Sequence, residues 1–221
     1  MNRVDLKYRY LTLFILGIFP FLINGSINPI IAQVPILYWG FELVIWVAIP
    51  CLIFYLLVTK YGLNLSEIGI VNPCSSIKTG LKFIGVCLLV MIFDSFIYKQ
   101  AFYFFYNIAP AEPIFAYQSI IPESGTKRFV AIWYLAISAG VVEELYFRGL
   151  LHKISKLFGS PWVLYLVFSP LFFSVIHWEG NLANMGASYI VGLFGCLIYL
   201  WLRNIWPLII GHIYTDLLWF Q

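Results

Sequence analysis

Seven apolar runs dominate the chain, at Tyr10–Ile27, Val34–Thr59, Thr79–Tyr98, Phe129–Leu151, Pro161–Trp178, Met185–Leu202 and Ile205–Phe220. About 20 apolar residues at 1.5 Å rise cross the hydrocarbon core of a bilayer, so runs of this length limit the possible folds severely. In lipid every backbone polar group must be satisfied internally, which leaves helices or closed barrels. A barrel strand alternates apolar and polar residues over about ten positions. These runs are continuous, so the expected fold is an all-α polytopic transmembrane bundle of seven spans. The first and last runs are short and suit tilted or partly buried segments.

Composition supports this placement. The 221 residues are 62% hydrophobic and 10% charged, against about half and about a quarter in soluble domains. The length suits one membrane domain, residues 1–221. A net charge of +3, with no basic patch, gives no reason to expect a nucleic-acid partner. Cys51, Cys74, Cys87 and Cys196 are scattered without a CxxC, which argues for packing roles rather than a disulfide framework. Arg3, Lys7 and Arg9 precede the first run as in a signal peptide. No clear small-residue cleavage site follows, so the segment reads as a retained anchor.

Basic residues set the expected orientation. With the amino terminus in the cytoplasm, the inner side holds Arg3, Lys7, Arg9, Lys60, Lys78, Lys82, Lys153, Lys156 and Arg203. The outer side holds only Lys99, Lys127 and Arg128, so the bias predicts N-in and C-out. Two connections are long. Lys60–Ile77 contains a candidate surface helix at Leu65–Ile70, and Asn107–Arg128, with Pro110, Pro113 and Pro122, reads as a proline-punctuated loop. Ser188, Gly192 and Cys196 form a small-residue seam where another helix can approach closely, and Ser138, Ala139 and Gly140 do the same. No internal repeat of the kind that builds many transporters is detectable.

Ionisable groups inside apolar runs are costly and point to function. Glu143, Glu144 and Arg148 stand together in the fourth run. Glu144 and Arg148 are four apart and share a helix face, where they can pair. Glu143 lies about 100° from Glu144 and about 140° from Arg148. It is the acid left without a local partner, so Glu143 is expected to do chemistry while Glu144 and Arg148 position the site. A triad that merely ties helices together is the plain alternative. His212 and Asp216 are also four apart and project together from an apolar segment. His177 closes the fifth run, four residues after Phe173, a position that an interfacial or core histidine also fills. Glu42 and Asp94 read as solvated or cavity-lining groups near span ends. His152 reads as a histidine at a basic helix terminus, stabilised by the helix dipole.

Taken in order, Glu143-Glu144-x-x-x-Arg148, Phe173-x-x-x-His177 and His212-x-x-x-Asp216 resemble the EExxxR, FxxxH and HxxxN/D motifs of the CAAX protease and bacteriocin-processing family, which includes type II CAAX prenyl endopeptidases. The resemblance covers residues 129–221; each motif alone is weak, and the ordered set is specific. It implies an intramembrane glutamic peptidase with Glu143 activating water, His177 assisting, and His212 with Asp216 stabilising the oxyanion. Glu144, Arg148 and Phe173 would support the site, with Arg148 also able to meet a substrate carboxylate. An ionised aspartate cannot donate a hydrogen bond. Either Asp216 carries a proton, or it orients His212 and the histidine alone donates; the second requires no unusual protonation.

The implied chemistry uses no metal or cofactor. A zinc site built from both histidines and a glutamate is the rival, but the chain lacks HExxH. The implied partners are membrane lipids and a membrane-associated or lipidated peptide substrate, and the implied location is a bacterial plasma membrane. Two other functions compete: a non-catalytic bacteriocin-immunity or membrane-partner protein, and a proton- or ion-coupled transporter. One feature fits poorly. Counted from the inner ends of their runs, Glu143 and His177 differ in depth by roughly 9 Å.

Overall fold

The computed structural model describes residues 3–73, 76–159 and 162–221. Cys74 and Pro161 lie outside them. Among the described residues there is no strand, and the helices form seven rods. They are α1 (Arg3–Ile31), α2 (Pro35–Thr59), α3 (Ile77–Ile108), α4 (Gly125–Leu157), α5 (Val163–Val175), α6 (Leu182–Leu202) and α7 (Trp206–Phe220). The first four and α6 are long and apolar enough to cross a membrane. The chain is a multi-pass integral membrane protein. Leu81, Leu88, Leu89, Ile92, Phe93 and Phe96 of α3 are exposed, a contiguous apolar face that suits lipid rather than water.

Two rods contain π-helical turns. In α2 the turn covers Val44–Ala48, ahead of Pro50, whose missing N–H and ring obstruct regular hydrogen bonding. In α4 it covers Glu144–Leu150, within the charged motif. The Ser169 hydroxyl of α5 donates to the Phe147 carbonyl inside this turn at 2.7 Å. A side chain inserted into the ladder is a recognised cause of such irregularity.

Helix α3 packs along α6 and α7, α5 along α6, and α4 along α7. Small residues allow these approaches. A Cβ on Gly192 would stand 3.0 Å from the Pro170 backbone of α5. On the same seam, Cys196 Sγ donates to Ser169 Oγ at 3.1 Å. Gly140 similarly admits Ile213 of α7.

Several boundaries differ from the hydropathy reading. Helix α4 continues six residues past Leu151, through Lys153 and Lys156, because charge at a helix end stops an apolar count without stopping the helix. Helix α3 continues to Ile108 through the aromatic stretch after Tyr98. Residues 65–68 form one 3₁₀ turn with a buried Ile68, docked on α4 at Gly149. At this end Lys153 pairs with Glu67, and Arg203 meets the His152 ring. His152 is 1% exposed between Tyr165 and Tyr199, so packing rather than a solvated helix terminus accounts for it. At the opposite end Arg128 donates to the Phe220 and Gln221 carbonyls.

The extension of α4 removes the mismatch in depth. Glu143 precedes Leu157 by fourteen residues, and His177 follows Val163 by fourteen. Both side chains therefore lie about 21 Å from the turn joining α4 to α5.

Candidate active site

Glu143, His177, His212 and Asp216 line one cavity of about 300 Å³ within the bundle. The imidazole Nε2 of His177 stands 3.9 Å from Glu143 Oε2, and that of His212 stands 3.8 Å from the same oxygen. Both separations exceed a direct hydrogen bond and fall in the range where a water bridges polar groups. His177 Nδ1 donates to the Phe173 carbonyl at 2.7 Å, which leaves its Nε2 as the free acceptor.

Glu144 joins two parts of the site. Its Oε1 lies 3.2 Å from Arg148 NH1, as four-residue spacing suggests, and 2.9 Å from His212 Nδ1. The group orienting His212 is therefore Glu144. Asp216 instead approaches the other ring nitrogen, with Oδ2 3.7 Å from Nε2. The regular-helix reading gave Glu144 to Arg148 alone. Both acids nevertheless reach His212, Glu143 on Nε2 and Glu144 on Nδ1, and of the two only Glu143 lines the cavity.

Phe173 serves three neighbours. Its carbonyl holds His177, its ring lies 4.0 Å from the Arg148 guanidinium carbon, and its edge meets the His212 ring. A desolvated cation–π contact of this kind contributes about 2 kcal/mol. Arg148 is 1% exposed and does not line the cavity, so it is not placed to meet a substrate carboxylate. Gly195 makes room for it: a Cβ there would stand 2.9 Å from Arg148 Nε.

The cavity walls include residues that hydropathy left in the background. Asp94, Tyr98, Phe102 and Tyr106 recur every four positions on one face of α3 and line the cavity. Asp94 is buried and accepts a hydrogen bond from Thr215 Oγ1 at 2.8 Å. Tyr98 donates to Asn184 Oδ1 at 2.7 Å. Glu42 is fully buried rather than solvated, with Asn28 Nδ2 3.5 Å from its Oε1.

The loop at 109–121 covers the cavity as well as connecting helices. Its Ile114 and Phe115 amides donate to the Glu179 carbonyl at 2.7 and 3.2 Å, and Ala111 accepts from Asn181 Nδ2 at 2.8 Å. Asn181 sits at φ 125° and ψ 178°, a region nearly restricted to glycine. Its side chain also accepts from the Asn184 amide and caps α6. Glu179, in the same turn, takes the Tyr117 hydroxyl on Oε1 at 3.4 Å. Burial raises the Glu179 carboxyl to about 7.

Among the described residues no group of three or more His, Cys, Asp or Glu is arranged to hold a metal ion. Both Nδ1 atoms already have protein partners, and the donors facing one another are 3.8–3.9 Å apart.

Residues 125–218 match the family model described as Rce1-like, type II CAAX prenyl endopeptidase. This part of the chain is therefore similar to the type II CAAX prenyl endopeptidases, over the segment that carries all three motifs. Neither the curated proteins nor the solved structures include a match to the chain.

Proposed function

We propose that the protein is a metal-independent intramembrane endopeptidase that uses Glu143 to activate water against a peptide bond. The observation that carries this reading is the aim of two imidazole Nε2 atoms at one buried glutamate oxygen, at 3.9 and 3.8 Å. Water held between Glu143 and His177 gives up a proton as it attacks the carbonyl, an arrangement of general-base catalysis. His212 faces the developing oxyanion. Its Nδ1 is engaged by Glu144, so donation from Nε2 requires the doubly protonated ring. A preorganised donor in a dry site stabilises the transition state strongly. Asp216 lies beside that Nε2 and supports its charge. Glu144, Arg148 and Phe173 hold the two histidines in register.

The substrate is a membrane-associated or lipidated peptide reaching the cavity from the bilayer. The protein resides in a bacterial plasma membrane in the N-in, C-out orientation. The test compares peptides released by membranes carrying the native protein or Glu143→Gln. Loss of cleavage by about 10³-fold, with unchanged protein abundance and unaltered native activity after exhaustive chelation, is expected. Cleavage surviving in Glu143→Gln, or abolished by chelation and restored by zinc, refutes the reading.

A further inference from the structure

The ionisable lining of the cavity is weighted toward acids. Asp94, Glu112, Glu143, Glu179 and Asp216 contribute carboxyl groups, against the imidazoles of His177 and His212 and no lysine or arginine side chain. The basic residues nearest to it are engaged elsewhere. Arg148 is buried against Glu144 and the Phe173 ring, and Arg128 is turned to the carboxy-terminal carbonyls. Where acids predominate within low-dielectric walls, away from the two imidazoles, the field favours a cationic ligand.

Within this lining Glu179 is placed to receive a ligand. It is 7% exposed, and its Oε2 has no hydrogen-bond partner in another residue, whereas Oε1 is held by Tyr117. Leaving such an oxygen unpaired is costly. The turn that carries Glu179 is fixed on three sides. Its carbonyl accepts the Ile114 and Phe115 amides, and Trp178 Nε1 donates to the Leu22 carbonyl of α1 at 2.9 Å. Gly25 of α1 lies so close that a Cβ would stand 2.5 Å from Glu179 Cβ. Two residues earlier the same turn carries His177. A group meeting Glu179 is therefore presented close to the reacting centre. The rings of Phe115, Tyr117 and Phe102 also line the cavity and offer faces that attract cations.

We infer that Glu179 forms a specificity subsite for a lysine or arginine side chain near the bond to be cleaved. As a statement about substrate this rests on the peptidase reading; as a statement about binding it stands separately. The full-length Glu143→Gln protein in lipid nanodiscs provides the assay. Fluorescent decapeptides identical except for one central lysine, norleucine or glutamate are titrated by anisotropy. The lysine peptide is expected to bind at least tenfold more tightly than the glutamate peptide. Adding Glu179→Gln is expected to reduce the lysine preference to under threefold. Equal binding, preference for glutamate, binding of neither peptide, or a lysine preference untouched by Glu179→Gln each overturns the inference. Native protein is tested for cleavage of the same peptides in parallel. Lysine preference without cleavage defeats the peptidase reading alone; cleavage without that preference defeats the subsite alone.

Discussion

The region matched by the family model supplies every group of the reacting centre, whereas the preceding residues supply most of the opposite wall. Glu143, Glu144 and Arg148 come from α4, His177 follows α5, and His212 and Asp216 come from α7. Asp94, Tyr98, Phe102, Tyr106, Glu112, Phe115 and Tyr117 come from α3 and the loop that follows it. Both regions bury polar atoms, but they fix them differently. In the first, each imidazole has one nitrogen held by a neighbour and the other directed at Glu143. In the second, the polar groups are tied across to the matched region and none is directed at Glu143, as in Thr215 to Asp94 and Tyr98 to Asn184. The contrast separates reaction geometry from the surface a substrate meets.

Variants can break that contrast, beginning with the largest effect. Arg148→Ala leaves Glu144 buried without its ion partner and empties the space over Phe173; breaking such a pair costs about 3–5 kcal/mol. Thermal unfolding in detergent should fall sharply and activity should vanish with it. His212→Ala should lower kcat by about 10²–10³-fold, the usual loss of an oxyanion donor. Its KM should change little, which steady-state kinetics on a cleaved peptide will check. Asp94→Asn keeps an acceptor for Thr215 and should change kcat by less than about tenfold while altering the ranking of substrates. A loss as deep as that of His212→Ala would move Asp94 into the reacting centre and dissolve the division. Lys153→Ala removes a partly exposed ion pair with Glu67, and should change unfolding by about 0–1 kcal/mol with activity unaltered.

The same division governs what could be read from the amino acids. Apolar runs announce helices because burial in lipid demands them, and all seven are present as rods. Four-residue spacing put Glu144 beside Arg148 because that relation is local. The wide turn at Glu144–Leu150 was not legible, since no local pattern marks it and the hydroxyl bonded to its Phe147 carbonyl, that of Ser169, comes from another helix. The engagement of His212 by Glu144 likewise joins positions 68 apart in the chain. Asp94 gave a local signal, an acid within an apolar helix, but its wall role emerges only when α3 packs on α7. Glu179 stood two residues after His177 in plain view. Its significance comes from the fold, which closes the 109–121 loop over it.

The surplus residue in α4 has a consequence for how this centre is preserved. A π turn carries one residue more than regular helix would between the same flanking points. Excising any one residue from 145–147 would still leave a continuous apolar rod of ample length to insert. Regular helix would then fill the same interval, so the acids ahead of the turn and the basic end behind it would keep their relative azimuth. The excision would instead remove the wide turn itself, and with it the seat of the Phe147 carbonyl against Ser169. Insertion and the aim of the acids tolerate that loss; the seam between α4 and α5 has to be remade.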